Sequence, residues 1–401
     1  MKTFDEALHY LLSQAKITTA TQTVSIFDAL GMVLAEPVVS PVNVPPHDNS
    51  MMDGYALHSY DLEHNNVFNV SQRIPAGITS QALKPGTAAR IFTGAPIPEG
   101  ANVVVMQEET EQLGESEIKI TAAKTIANQN IRVIGEDIQQ DATILKVGHK
   151  LRPQDLGLIT SIGFAEVTVF KPLTIATFTT GDELLEPGEN PQPGKIYNAN
   201  RYVLNGLVPE LGFKLIDLGR VEDTLESTVE AMKKAAGLAD VVVTTGGVSV
   251  GEEDHIKPAI EQLGSLDMWK VKMKPGKPLA YGDIDGTPFI GLPGNPVSAF
   301  ATFNLFARPY LLKMQGAIAY KAKPLWLEAD FDWLKVGFRR EFARGRLVNK
   351  NQKSLVEIYP NQGSGVLTST VWADGFVVIP EDTQIHKGDK VAFYPFNAVN
   401  E

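Results

Sequence analysis

Hydrophobic positions change their spacing several times along this chain, and each change predicts a different kind of structure. Over residues 1–40 apolar side chains recur three and four apart, as at Phe4, Ala7, Leu8, Leu11 and Leu12. A second apolar stretch at 24–34 stops before Pro37. Both read as helical. From Val42 to Ile144 the pattern becomes short β-like runs (88–92, 102–106, 118–121) punctuated by glycine and proline, which predicts an all-β block. Residues 151–162 return to helical spacing, so the β block reads as an insertion into a discontinuous helical domain.

Beyond Pro172, strands expected at 173–179, 213–218, 241–245, 268–273 and 288–291 alternate with helix-compatible segments at 200–211, 225–236, 254–263 and 297–312. Such alternation predicts a parallel sheet covered on both faces, with ligands at the carboxyl ends of its strands. From 321 to 398 short strands return at 346–349, 354–359, 375–379 and 390–395, which predicts a small β-barrel or sandwich. The expected fold is multidomain α/β plus β. A helical domain spans 1–45 and 146–171, a β-rich insertion 46–145, a parallel α/β domain 172–318 and a C-terminal β-barrel 319–401.

Composition narrows the function. The 401 residues exceed one ordinary core, 43% are hydrophobic and 21% charged, and the chain reads as soluble and globular. No apolar run approaches the ~20 residues that span a bilayer, and the acidic start lacks the apolar core of a signal peptide. Neither a membrane nor a secretory route is expected. The absence of cysteine excludes disulfides, thiolate zinc sites and a cysteine nucleophile, and fits a reducing cytoplasm. A net charge of −11 argues against nucleic-acid binding, so any anion site must be a local basic pocket.

Three glycine-rich turns supply candidates for that pocket, each directly behind a β-like run. They are Gly246-Gly247-Val248-Ser249-Val250-Gly251, Lys274-Pro275-Gly276-Lys277-Pro278 and Leu292-Pro293-Gly294-Asn295-Pro296. A strand, glycines and then a helix leave outward-facing N–H groups at a positive helix end, which suits phosphate. Gly247 to Gly251 also fits G-x-S-x-G, the serine turn of α/β-hydrolases. A triad would need a later histidine, and only His255, on the adjoining helix, and His386, in the last β domain, follow. A plain turn with no ligand is the third reading. On an alternating strand Lys270, Lys272 and Lys274 would share one side, either solvated or facing the ligand. Lys274 and Lys277 bracket a tight turn at the ligand edge.

Acids gather at the same edge: Asp182-Glu183, Glu222-Asp223 and Glu252-Glu253-Asp254. Helix N-terminal acids are ordinary caps, but carboxylates beside a phosphate nest repel the anion unless a hard cation bridges them. Magnesium does so, sharing oxygen ligands with phosphates.

Several motifs in fixed order carry a family resemblance over nearly the whole length. They are Asp48-Asn49-Ser50 with Met52-Asp53-Gly54-Tyr55-Ala56, Thr93-Gly94-Ala95-Pro96, Gly135-Glu136-Asp137, Thr180-Gly181-Asp182-Glu183-Leu184, the three glycine turns, and Val297-Ser298. The chain thereby resembles the MoeA family of molybdopterin molybdenumtransferases, bacterial counterparts of the plant and animal E domains, gephyrin among them. His47 and Met51 depart from the pattern beside the aspartates. The last domain matches only through 339–346 and Gln362-Gly363-Ser364.

The resemblance implies an elongated cytoplasmic homodimer that inserts molybdate into adenylylated molybdopterin and releases AMP with the help of Mg2+. Transient contact with the molybdopterin adenylyltransferase is implied as well. By the same resemblance the site is shared, with Asp53, Thr93 and Asp137 of one subunit's β insertion facing the partner's α/β domain; nothing local singles out Asp53. Glu183, Asp223, Lys270, Lys274 and Lys277 would join them in catalysis, and Asp182 and Asp254 would hold the metal. Gly246, Gly247, Ser249, Gly251, Pro293, Gly294, Asn295 and Pro296 would bind substrate, with Ser298, Arg339 and Ser364 at the oxyanion. Two alternatives stand beside this: transfer of AMP onto molybdopterin, and a non-enzymatic gephyrin-like scaffold.

Overall fold

A computed structural model of the chain describes residues 1–248 and 255–397. It divides into two compact units, one of residues 1–35, 147–152 and 168–401, the other of 36–146 and 153–167.

The larger unit is built on a six-stranded sheet in the order Lys214–Val221, Thr174–Thr180, Val241–Thr245, Thr287–Leu292, Pro278–Ile284, Gly264–Lys270. The first four strands run parallel, and Pro278–Ile284 runs antiparallel to both of its neighbours, so Gly264–Lys270 shares the direction of the first four. Val241–Thr245 is buried along its whole length, as a strand covered on both faces must be. Its side chains divide by the period of two: Val241 and Val243 pack with Phe4, Leu204, Phe306 and Tyr310, while Val242 packs with Met232, Ala235 and Ile260. Helices Phe4–Gln14, Ala199–Glu210 and Arg308–Met314 therefore cover one face, and Leu225–Leu238 and Ile256–Leu263 the other. Thr3 and Glu6 close a reciprocal capping box on the first helix, and Thr224 caps the helix that follows it.

One expected element is split. The run at 268–273 is not one strand: Gly264–Lys270 forms the antiparallel edge, and Met273–Lys274 joins a different sheet. Lys270 pairs with Pro278, which has no N–H to continue the ladder, and the chain turns away there. Lys270, Lys272 and Lys274 consequently do not share one strand face.

That other sheet belongs to the C-terminal barrel. Arg340–Lys350, Lys353–Ile358, Leu325–Ala329, Lys390–Pro395 and Gly375–Ile379 pair in that order, and the last returns to Arg340–Lys350 to close five strands around Ala343, Val356, Val377, Val391 and Phe393. Gly345 sits where the barrel leaves no room for a side chain, since a Cβ there would lie 2.5 Å from Val377 Cγ2.

The smaller unit carries a six-stranded sheet in the order Val103–Met106, Gly54–Leu57, Ala88–Ile91, Val67–Ile74, Glu117–Ile120, Thr110–Gln112. The pairs Asn49–Ser50 with Ile131–Arg132 and Val38–Val39 with Thr143–Leu145 flank it. Helix Pro153–Ser161 belongs to this unit. No helix among the described residues is long and apolar enough to cross a membrane.

Candidate active site

Parallel strands end together, and in the larger unit that register creates a cleft. Thr179 lies opposite Thr245 and Thr245 opposite Leu292, so the turns after three strands open side by side. They line a cavity of about 590 Å³ together with the Lys274 to Pro278 turn and two loops of the barrel. Gly246 (φ +85°) and Gly276 (φ +90°) adopt backbone conformations that favour glycine. Gly246 N–H donates to Leu292 O (3.1 Å), and a Cβ on Gly294 would lie 3.6 Å from Gly246 Cα, so two of the turns pack directly together.

Most residues expected at the site meet there. Glu183, Gly246, Lys274, Lys277, Pro293, Gly294, Asn295, Pro296, Ser298, Arg339 and Ser364 all line the cleft. Three cations thus face one concavity. Lys277 is exposed, and Lys274 Nζ lies 3.0 Å from Glu341 Oε2. Arg339 stacks near Phe338, its guanidinium carbon 5.7 Å from the ring centre. Ser298 is buried, and Val297 N–H donates to Ser364 O (3.1 Å), tying the asparagine-proline turn to the barrel loop. That loop is fixed from beneath by the buried Arg344. Its Nε donates to Ser369 Oγ (2.9 Å) and its Nη2 to Gly363 O (3.1 Å), and burial lowers its pKa to about 10.

Other expected residues lie elsewhere. Gly247 follows the lining residue Gly246 with φ +62° but does not itself line the cleft. Asp182 is exposed beside Glu183, outside the lining, and Lys270 is exposed at the end of the edge strand. Asp223 is half-buried in the loop after Lys214–Val221 and is engaged in contacts of its own. Ser249, Gly251 and Asp254 fall outside the described residues. Among the described residues no group of three or more acids or histidines is placed to hold a metal ion. Among the described residues no histidine lines the cleft, and His386 sits in the barrel facing Asp332.

Asp53, Thr93 and Asp137 belong to the smaller unit. Asp53 Oδ1 accepts from Thr93 N–H (2.8 Å) and Thr93 Oγ1–H (2.9 Å). These bonds, the backbone one foremost, hold the carboxyl below the usual aspartate range, with the nearby Arg90 adding to the effect. Arg90 in turn donates to Gly54 O (3.1 Å) and Gln107 Oε1 (2.6 Å), and Gln107 N–H donates to Asp53 O (3.0 Å), so the aspartate turn is clamped on both sides. Asp137 is exposed, with its N–H donated to Val44 O (3.0 Å).

Sequence reasoning gave no site role to Thr180, although it opens one of the family motifs, nor to Thr245, Asn200 and Glu341. Both threonines end parallel strands and line the cleft, and strand-end position was the available signal. Asn200 Nδ2 donates to Gly294 O (2.7 Å), while its buried Oδ1 has no partner among the described residues. Glu341 lies within the matching segment 339–346, but nothing in the sequence pointed to its pairing with Lys274, 67 positions away along the chain.

Comparison with known proteins identifies the family of the chain. The chain matches the MoeA N-terminal region (domain I and II) over residues 2–163, a probable molybdopterin binding domain over 176–313 and the MoeA C-terminal region (domain IV) over 327–396. It belongs to the MoeA family. A molybdopterin molybdenumtransferase of Haemophilus influenzae is 37% identical over 401 residues, 99% of either chain. Molybdopterin molybdenumtransferase 2 of Mycobacterium tuberculosis is 36% identical over 372 residues, 90% of this chain and 91% of its own. The crystal structure of the molybdopterin biosynthesis MoeA protein from Pyrococcus horikoshii OT3 superposes with a TM-score of 0.85 at 29% identity, covering 98% of this chain and 100% of its own.

Proposed function

We propose that the protein acts in molybdenum cofactor biosynthesis, inserting molybdate into adenylylated molybdopterin and releasing AMP. The observation that carries this reading is the convergence of Lys274, Lys277 and Arg339 with Ser298 and Ser364 on one cleft at the carboxyl edge of the sheet. Cleavage of the phosphoanhydride leaves charge on both phosphates, and preorganised cations and N–H groups in a shared concavity stabilise that charge. Molybdate, a small dianion, needs its own donors, and Lys274, Lys277, Arg339 and the two serine hydroxyls supply them. No covalent intermediate with a side chain is required, in keeping with a chain that has no cysteine.

Magnesium is compatible with acids beside this cleft, although of those described only Glu183 lines it. It takes one or two carboxylates and completes its shell with phosphate and water instead of a closed protein cage. Exposed Asp182 and Glu183 offer such oxygens, and Asp223 is a further candidate, as is Asp254, which lies outside the described residues. When bound, the ion neutralises charge on the phosphates as the anhydride breaks. We also propose a cytoplasmic homodimer in which Asp53, Thr93 and Asp137 of one subunit complete the partner's cleft. It would receive its substrate through transient contact with the molybdopterin adenylyltransferase.

The test is to incubate the purified protein with adenylylated molybdopterin, molybdate and magnesium, and to measure AMP release together with active cofactor. Release that depends on both molybdate and magnesium is expected. Intact substrate after prolonged incubation would remove the reading.

A further inference from the structure

The charges around the cleft are not all suited to an anion. Behind Lys274 stands Glu341, whose Oε2 lies 3.0 Å from the ammonium. The backbone imposes this pairing. Met273–Lys274 runs parallel to Arg340–Lys350 with Lys274 directly opposite Glu341, and Arg340 N–H donates to Lys272 O (3.1 Å). The carboxylate is the more deeply seated partner, its side chain 16% exposed against 40% for Lys274. The ammonium therefore reaches the cleft from the carboxylate's side. The neighbouring basic groups are engaged elsewhere, Arg340 by Asp5 and Glu381, Arg344 by Ser369 and Gly363.

We propose that Glu341 is a built-in counter-ion that positions Lys274 at the cleft wall and limits how tightly the cleft holds a tetrahedral dianion. An ammonium shared between a carboxylate and an oxyanion favours each less than it would favour either alone, and the arriving dianion also meets the like charge behind the ammonium. Affinity is thereby kept low enough for the oxyanion to leave the cleft by transfer. The role rests on the proposal that the cleft takes an oxyanion, and it makes Glu341 a positioning residue that acts through Lys274.

Calorimetric titration of the full-length protein with molybdate, and separately with sulfate, tests it at fixed ionic strength and without any pterin. Glu341→Gln keeps the side-chain length and an acceptor for Lys274 but removes the charge. It should tighten binding of both anions by about three- to tenfold. In a Lys274→Ala background the same change should matter by less than about twofold, because the coupling partner is gone. Should the glutamine variant not fold, Glu341→Met, uncharged and of similar length, is expected to tighten binding likewise. Unchanged or weaker binding in the Glu341 variants overturns the counter-ion role, and an equal gain in both backgrounds overturns its action through Lys274. A wild-type protein that binds neither anion overturns the oxyanion cleft itself, and this role with it.

Discussion

Gly276 is the residue on which the geometry of both cleft lysines depends. Its φ of +90° lies where side chains are rarely tolerated, and a Cβ there would come within 2.6 Å of Thr302 Oγ1 and 3.5 Å of Ser298 O. Gly276→Ala therefore carries two penalties. The backbone part costs about 1–2 kcal/mol, and forcing a methyl against a buried helix adds about 1–2 kcal/mol more. Near 2–4 kcal/mol in all, this lowers the unfolding temperature of the larger unit by roughly 4–12 °C. The turn can relieve part of the clash only by moving away from the helix that begins at Pro296, which displaces Lys274 and Lys277 together. Thermal unfolding and the molybdate concentration that half-saturates cofactor formation report the two consequences. Repeating the substitution in a Thr302→Ala background separates the penalties, since only the backbone part should then remain. An equal cost in both backgrounds would refute the steric contact, and no cost in either would refute the reasoning altogether.

Lys277→Ala removes a charge-assisted contact worth about 1.5–3 kcal/mol, so half-saturation by molybdate should rise about ten- to a hundredfold; Lys272→Ala, outside the cleft lining, should change it far less, and equal values for wild type and Lys277→Ala would place the oxyanion elsewhere. Because Thr93 lowers the folded-state pKa of Asp53, the stability this carboxylate contributes is present above its unfolded pKa and is lost as pH falls through the lower folded value. Thr93→Val keeps the N–H bond but removes the hydroxyl one, so a carboxyl-carbon NMR titration should show Asp53 moving back up toward ordinary aspartate; an unmoved titration would deny the hydroxyl its part. Mixing Asp53→Asn subunits with Lys277→Ala subunits should restore AMP release through one intact composite site per heterodimer, and no recovery after subunit exchange would end the shared-site proposal.

Much of the site was legible in the chain because its signals are local. A buried strand, then glycines, then a helix is written in consecutive residues, so the turns at Gly246, Lys274 to Pro278 and Pro293 to Pro296 could be placed at the sheet's carboxyl edge from pattern alone. The alternation of strand and helix fixed the layers on the same ground, as Val241 to Val243 illustrate by sending side chains to opposite faces. What spacing could not supply was the identity of each strand's partner. Lys270, Lys272 and Lys274 look like one strand face, yet the ladder ends at Pro278 and Lys274 crosses to the barrel.

That crossing sets Glu341 against Lys274 and frames the cleft with Arg339 and Ser364, residues far apart in sequence whose meeting is governed by barrel closure. Asp53 shows the same limit, since nothing local singles it out and its carboxyl is held below the usual aspartate range only because the fold delivers Thr93 to it. Hydrophobic period and turn chemistry act over a few residues and are determined by the sequence directly. Register between distant strands is decided by the packing of whole sheets, and only the tertiary structure contains it.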